Sequence, residues 1–193
     1  MKKVLVIIVL SLCFTTSLHA DDISDFQIEG MSLGDSLLDY FKKTEIKKGT
    51  VPFKKTSYND NSFSRVGITK NAKVYDVTQF HIKKDDPKYI IYNITGKILY
   101  KTNINECYED MQSIVSDVEN LNIDAKKKEY KKNHSADKTG NSKNTTIQFD
   151  LNNGDQIKIS CYDWSKKKKY TDNLRLSINT NEFILWLRNK AYK

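Results

Sequence analysis

Histidine, cysteine, proline and arginine are all scarce in this chain, and each shortage closes off a chemistry. Three of the 193 residues are His, three are Cys and two are Pro. One His and one Cys, His19 and Cys13, fall in the first twenty residues, which read as an export signal. The remainder keeps His81, His134, Cys107 and Cys161, and none stands at metal-ligand spacing to another. A structural zinc site is therefore not expected. The absence of C-x-x-C argues against thiol–disulfide catalysis. Gly30 and Gly34 are spaced G-x3-G, but neither G-x-G-x-x-G nor G-x4-G-K-[ST] occurs, so no loop is built to cradle nucleotide phosphates. No cofactor is expected. Lysine is used far more than arginine, whose planar fork is the better reader of phosphate. Together with export, this argues against nucleic acid as a partner. Scarce Ala, Pro and Arg beside abundant Lys, Asn, Ile and Tyr is the residue usage of an AT-rich genome.

Long apolar runs are missing as well. Val4 to Phe14 is apolar, but about eleven residues cannot cross a hydrocarbon core that needs roughly 20. With Lys2 and Lys3 before it and the small Ala20 after it, this segment is ordered as a secretory signal peptide, cleaved after Ala20. Leu12 precedes Cys13 where a lipid-attachment site requires a small residue. No later segment resembles a membrane span. The expected product is a soluble protein of the periplasm or the exterior, touching membrane only peripherally. Residues 21–193 suffice for one domain, or for two lobes, 21–102 and 103–193, sharing a core. The sequons at Asn93 ("NIT") and Asn144 ("NTT") are set aside, because the signal is of a bacterial kind.

Along the chain, "DFQIEG" reads as an extended lead-in. Ser32 and Asp35 suit a helix start, with Leu33, Leu37, Tyr40 and Phe41 at helical spacing, which predicts a helix from Leu33 to Lys43. Glu45 to Ser64 is polar, carries Pro52 and reads as a loop with at most a short strand. Lys73 to Ile82 and Lys88 to Tyr100 are rich in β-branched and aromatic residues and are separated by the turn signal "KKDDP". Gly96 either divides the second run into a hairpin or marks a bulge. Asn103 caps the clearest helix, with Glu106 at the third position and an apolar stripe through Ile104, Cys107, Met111, Ile114, Val115, Val118 and Leu121. Ala125 to Asn144 reads as a loop or frayed helix end. Thr145 to Leu151 and Gln156 to Trp164 form a hairpin around Asn153-Gly154. Leu174 to Asn179 is a third strand, and Asn179 with Glu182 opens a last helix bearing Phe183, Trp186 and Leu187. Strand runs separated by single helices predict an α+β fold, an antiparallel sheet with helices packed on one face. The helix-then-strands plan of both halves suggests a weak duplication, although no residue-level repeat supports it.

The stretch "MSLGDSLLDYF" contains G-D-S-L, the signature of a family of serine esterases, with Ser36 in the nucleophile's place. A serine hydroxyl needs a general base within hydrogen-bond reach. Neither His81 nor His134 has an Asp three residues before it or lies near the C-terminus, and no G-x-N-D block is present. Ser36 is thus expected to be a first-turn helix residue. Cys107 and Cys161, an even pair in an oxidising compartment, suggest a disulfide tying the long helix to the middle strand of the meander. Two buried thiols are the alternative. On that strand Ile157, Ile159 and Cys161 alternate with Lys158 and Ser160, so Cys161 shares the isoleucines' face. The net charge is +8, two charges of which leave with the signal. Its densest blocks are Lys126, Lys127, Lys128, Lys131 and Lys132, and Lys166, Lys167, Lys168 and Lys169. They are candidates for contact with anionic surfaces.

Taken together, "DFQIEGMSLGDSLLDYF" and "YIIYNITGKILYKTNINECYEDMQSIVSDVENL" resemble small secreted proteins of unknown function from AT-rich marine alphaproteobacteria. The resemblance covers about half of residues 21–193 and implies an exported bacterial protein, with no activity or catalytic residue attached. The "GMS" turn is also similar to one in small outer-membrane assembly lipoproteins, although Leu12 departs from their attachment site. The expectation is a non-catalytic protein that binds an envelope component. The alternatives are an electrostatic binder of anionic envelope surfaces and a G-D-S-L esterase.

Overall fold

Alternation of apolar and polar residues along seven segments builds one antiparallel sheet, seen in a computed structural model that describes Ile23, residues 26–69 and residues 73–193. The expected signal segment and its cleavage after Ala20 lie outside the described residues. The strands are β1 (Phe63–Ile68), β2 (Val77–Lys83), β3 (Ile91–Tyr100), β4 (Ala125–Asn133), β5 (Lys143–Leu151), β6 (Gln156–Asp163) and β7 (Asp172–Asn179). Their order across the sheet is β1-β2-β3-β7-β6-β5-β4. Two meanders, β1–β3 and β4–β7, therefore meet where β3 pairs with β7. Among the described residues three helices accompany them: α1 (Lys43–Gly49), α2 (Ile104–Asn120) and α3 (Asn181–Asn189).

Because side chains alternate across a strand, the register sorts the sheet into an apolar and a polar face. Val66, Phe80, Ile94, Ile178, Ile157 and Phe149 stand in one cross-strand row, and all are buried. Helix α2 covers this face with Cys107, Met111, Ile114, Val115 and Val118. As expected, Asn103 caps it, its side chain accepting a hydrogen bond from the Asn105 N–H at 3.0 Å. Ile28, Met31, Leu37 and Ile46 complete the same core. Cys107 and Cys161 are joined, with Cα atoms 6.0 Å apart, inside the usual disulfide range of about 4.4–6.8 Å. The helix start thus lies over β6, inside the second meander, as the alternation implied.

Helix α3 departs from the expected arrangement on one face. Its Phe183 ring centroid lies 4.5 Å from that of His81, on the polar side of β2, opposite to Phe80. Phe183 and Trp186 bury there with Phe63 in a second apolar cluster. Each such ring contributes about 1.5–3 kcal/mol by leaving water, which holds the helix to a face that is otherwise polar. Its cap is Thr180, one residue later than expected, accepting from the Phe183 N–H at 3.2 Å.

Other local expectations are corrected by long-range pairing. Leu33 to Lys43 forms only a 3-10 turn at Leu37–Asp39, and the helix follows at Lys43–Gly49 inside the expected loop. The Asp35 carboxylate accepts from the Ser32 N–H at 2.8 Å and its carbonyl from the Ile91 N–H, so the chain is tied to β3 before a helix can propagate. β1 begins at Phe63, at the end of that polar stretch, and runs on to Ile68, where no element was expected. The segment Ala125–Asn133, expected as loop or frayed helix, is the edge strand β4, because β5 pairs along its whole length. Gly96 neither divides β3 nor bulges it. A Cβ there would stand 2.6 Å from the Tyr75 ring, which crosses the strand at that point. The register irregularity lies at Tyr92 instead, skipped between the pairs His81–Asn93 and Ile82–Ile91, and its ring centroid rests 5.4 Å from that of Phe63.

Candidate polar concavity

The polar rows of the sheet, roofed at one end by α3 and the C-terminal residues, enclose a concavity of about 450 Å³. One row runs Arg65, His81, Asn93, Asn179 and Gln156 across β1, β2, β3, β7 and β6. The next runs Gln79, Thr95, Ser177, Lys158 and Gln148. A third places Arg175 beside Ser160. All these residues line the concavity, as do Tyr58, Tyr162, Tyr192 and, on the helix, Phe183, Leu187 and Arg188. Arg65, Arg175 and Arg188 are every arginine in the sequence, and among the described residues no Asp or Glu lines the concavity.

A hydrogen-bonded chain fixes the floor. Asn93 Nδ2 donates to the Ile178 carbonyl at 3.2 Å and to Asn179 Oδ1 at 2.7 Å. Its Oδ1 therefore faces His81 Nδ1, 2.8 Å away, and must accept from it. His81 Nε2 is then the bare nitrogen, and it accepts from the Tyr58 hydroxyl at 2.9 Å. Burial holds the His81 pKa down to about 4, the Asn93 bond raises it in part, and the Arg65 charge lowers it further. The imidazole is neutral at physiological pH. Burial pushes the Tyr58 hydroxyl up to about 12 although Arg65 and Arg175 both pull it down, so it remains a donor.

The two guanidiniums differ in support. Arg175 Nε donates to Asn173 Oδ1 at 2.9 Å, and its guanidinium carbon lies 4.0 Å from the Tyr162 ring centroid. Arg65 Nε is buried and has no hydrogen-bond partner. An unsatisfied buried donor on a cation is costly unless an acceptor meets it. Both charges also act on Tyr192, whose ring stands edge-on to that of Tyr58 at 5.5 Å. The arrangement can orient and neutralise an anion. Both His81 nitrogens are engaged, one by Asn93 and the other by the Tyr58 hydroxyl.

The residues singled out in the sequence lie elsewhere. Ser36 Oγ donates to the Lys88 carbonyl at 2.6 Å and accepts from the Leu38 N–H at 3.1 Å, capping the 3-10 turn. Among the described residues no base is bonded to it. The β4 lysines do not form one block. Strand alternation sends Lys126, Lys128 and Lys132 to the polar face and Lys127 and Lys131 to the face that carries α2. Lys127 pairs with Glu119 at 2.7 Å and Lys128 with Asp150 at 2.5 Å. Lys166–Lys168 form a separate 3-10 turn between β6 and β7, closed by Lys169 in the left-handed region at φ 54°.

Sequence reading missed Arg65 because its strand β1 was not foreseen, and Arg175 because it alternates with Leu174 and Leu176 on β7, which marks it as solvent-facing. The available signal was their rarity in a chain this rich in lysine. No known protein family, no curated protein and no solved structure matches the chain.

Proposed function

We propose that the protein is exported and acts as a non-catalytic binding protein of the cell envelope, holding an anionic ligand in the arginine-lined concavity. One observation carries this reading: every arginine of the chain lines a single concavity, and no Asp or Glu among the described residues lines it. Guanidinium groups match carboxylate and phosphate oxygens in pairs, and in a partly dry site their attraction is screened less than on the open surface. The Cys107–Cys161 bridge supports export, since such bonds persist in oxidising compartments. The lysines of β4 on the polar face and those of the 166–169 turn supply longer-range attraction for the same anions.

The test is a pull-down from envelope extract with the protein and with an Arg65→Gln/Arg175→Gln variant. A ligand recovered by the first and lost by the second supports the reading. Equal recovery by both places binding outside the concavity and overturns it. Recovery that is lost only when the β4 and 166–169 lysines are neutralised supports the surface-binding alternative. Ester turnover abolished by Ser36→Ala would replace both with an enzyme.

A further inference from the structure

We infer that the ligand of this concavity is an acidic carbohydrate, a sugar unit bearing a carboxylate among its hydroxyl groups. The inference rests on the reading of the concavity as an anion-binding site and adds the chemistry of the rest of the ligand. A volume of about 450 Å³ is far more than an inorganic anion fills and falls in the range of small-molecule sites. Beyond the arginines, the floor is made of amides and hydroxyls: Gln79, Thr95, Gln148, Gln156, Ser160 and Ser177. These groups donate and accept in comparable number.

A carboxylate only accepts, and a phosphate has few protons to donate, so either would leave most of the floor's oxygens unmatched on desolvation. An acyl chain would strip the whole floor of hydrogen bonds. Hydroxyl groups do both, so a polyol satisfies the floor where the other two do not. Much of the floor is already paired: Thr95 Oγ1 with Ser177 Oγ at 2.9 Å, Ser160 Oγ with Thr146 Oγ1 at 2.8 Å, and the Gln148 and Gln156 amides each donating to Asp150 Oδ1, which leaves chiefly acceptor oxygens open. Among the described residues the Gln79 amide and the Lys158 ammonium make no side-chain hydrogen bond. The walls complete the match. Tyr192 presents an exposed ring with a polar tip, the amphipathic surface that suits the C–H face of a pyranose. Arg65, whose guanidinium lines the concavity, meets the carboxylate.

The experiment is calorimetric titration of the purified protein with trigalacturonate, with the neutral galactose trimer, with sodium phosphate, with acetate and with a nucleoside monophosphate. Trigalacturonate is expected to bind, the neutral trimer roughly tenfold or more weakly, since a charge-assisted pair is lost. Arg65→Gln is expected to lower trigalacturonate affinity by a similar factor, and Tyr192→Ala, at an exposed tail position, by several-fold. If a variant fails to fold, shift changes of the Arg65 and Arg175 Nε–H signals of the unaltered protein locate the ligand instead. Phosphate or nucleotide bound at those signals without any galacturonate binding overturns the carbohydrate inference and leaves the anion site standing. Trigalacturonate bound without perturbing them overturns the inference through binding elsewhere. No binding in any arm removes the carbohydrate inference and, with an empty pull-down, the binding reading as well.

Discussion

His81 shows how a single residue can be both ordinary and informative. It sits between Asn93 and Tyr58 with both ring nitrogens engaged, neutral because burial outweighs the bond that would favour its charge. The unfolded chain takes up a proton near pH 6.5, the folded one only near pH 4. Between those values protons favour the unfolded state, so the contribution is complete above about 6.5 and is lost as pH falls towards 4. Its size is on the order of 3 kcal/mol. His134 is also lowered, by burial first and then by Arg175, and adds in the same direction. Asp60, held down to about 2 chiefly by Ser62, and Asp137, held low chiefly by Ser142, act only at more acid pH. Urea midpoints should fall steeply between pH 7 and 4.5, and His81→Gln, though less stable at pH 7, should show a much shallower fall. Equal slopes in the two proteins would show that His81 does not carry the effect.

At the scale of the element, β4 explains how a sequence as polar as "AKKKEYKKN" becomes a strand. Its own preference for strand is poor, and its stability comes from nine pairings with β5, from Ala125–Leu151 to Asn133–Lys143. The lysines then serve the edge, where unpaired backbone groups would otherwise invite another chain. The opposite edge is guarded differently. The Val51 N–H donates to the Arg65 carbonyl at 2.8 Å, and Thr50 bridges Val66, so the chain after α1 lies along β1. Replacing Glu129 and Lys131 by Val should therefore raise the apparent mass in sedimentation at matched concentration, with the urea midpoint little changed. An unaltered mass would mean that the lysine-rich edge is not what limits association. Elements with strong local codes, α2 and the β5–β6 hairpin, were legible in advance. β1 and β4 were not, because what makes them strands is a partner distant in sequence or a neighbour of stronger propensity.

For the whole molecule, the Cys107–Cys161 bridge closes a sequence separation of 54 residues and fastens α2 to the sheet. In the chain-entropy account such a loop constrains the unfolded state by about 4 kcal/mol. Reduction, or replacement of both cysteines by serine, should lower unfolding free energy by roughly that amount and raise the urea m-value as the unfolded chain expands. A loss below about 1 kcal/mol would show that the helix is held by its apolar stripe alone.

The sequence by itself determined the α2 stripe, the hairpin turn at Asn153-Gly154 with Gly154 at φ 88°, and the inward direction of both cysteines. Each of these follows from a period of two or of 3.6 residues, or from one turn's demand for positive φ. Only the tertiary structure decided that α3 covers the polar face and that Arg65, Arg175 and Arg188 share one concavity. Alternation tells which residues share a face but not whether that face meets water, a helix or a ligand. That depended on β3 pairing with β7, which sets Asn93 beside Asn179 and joins the two meanders into one surface.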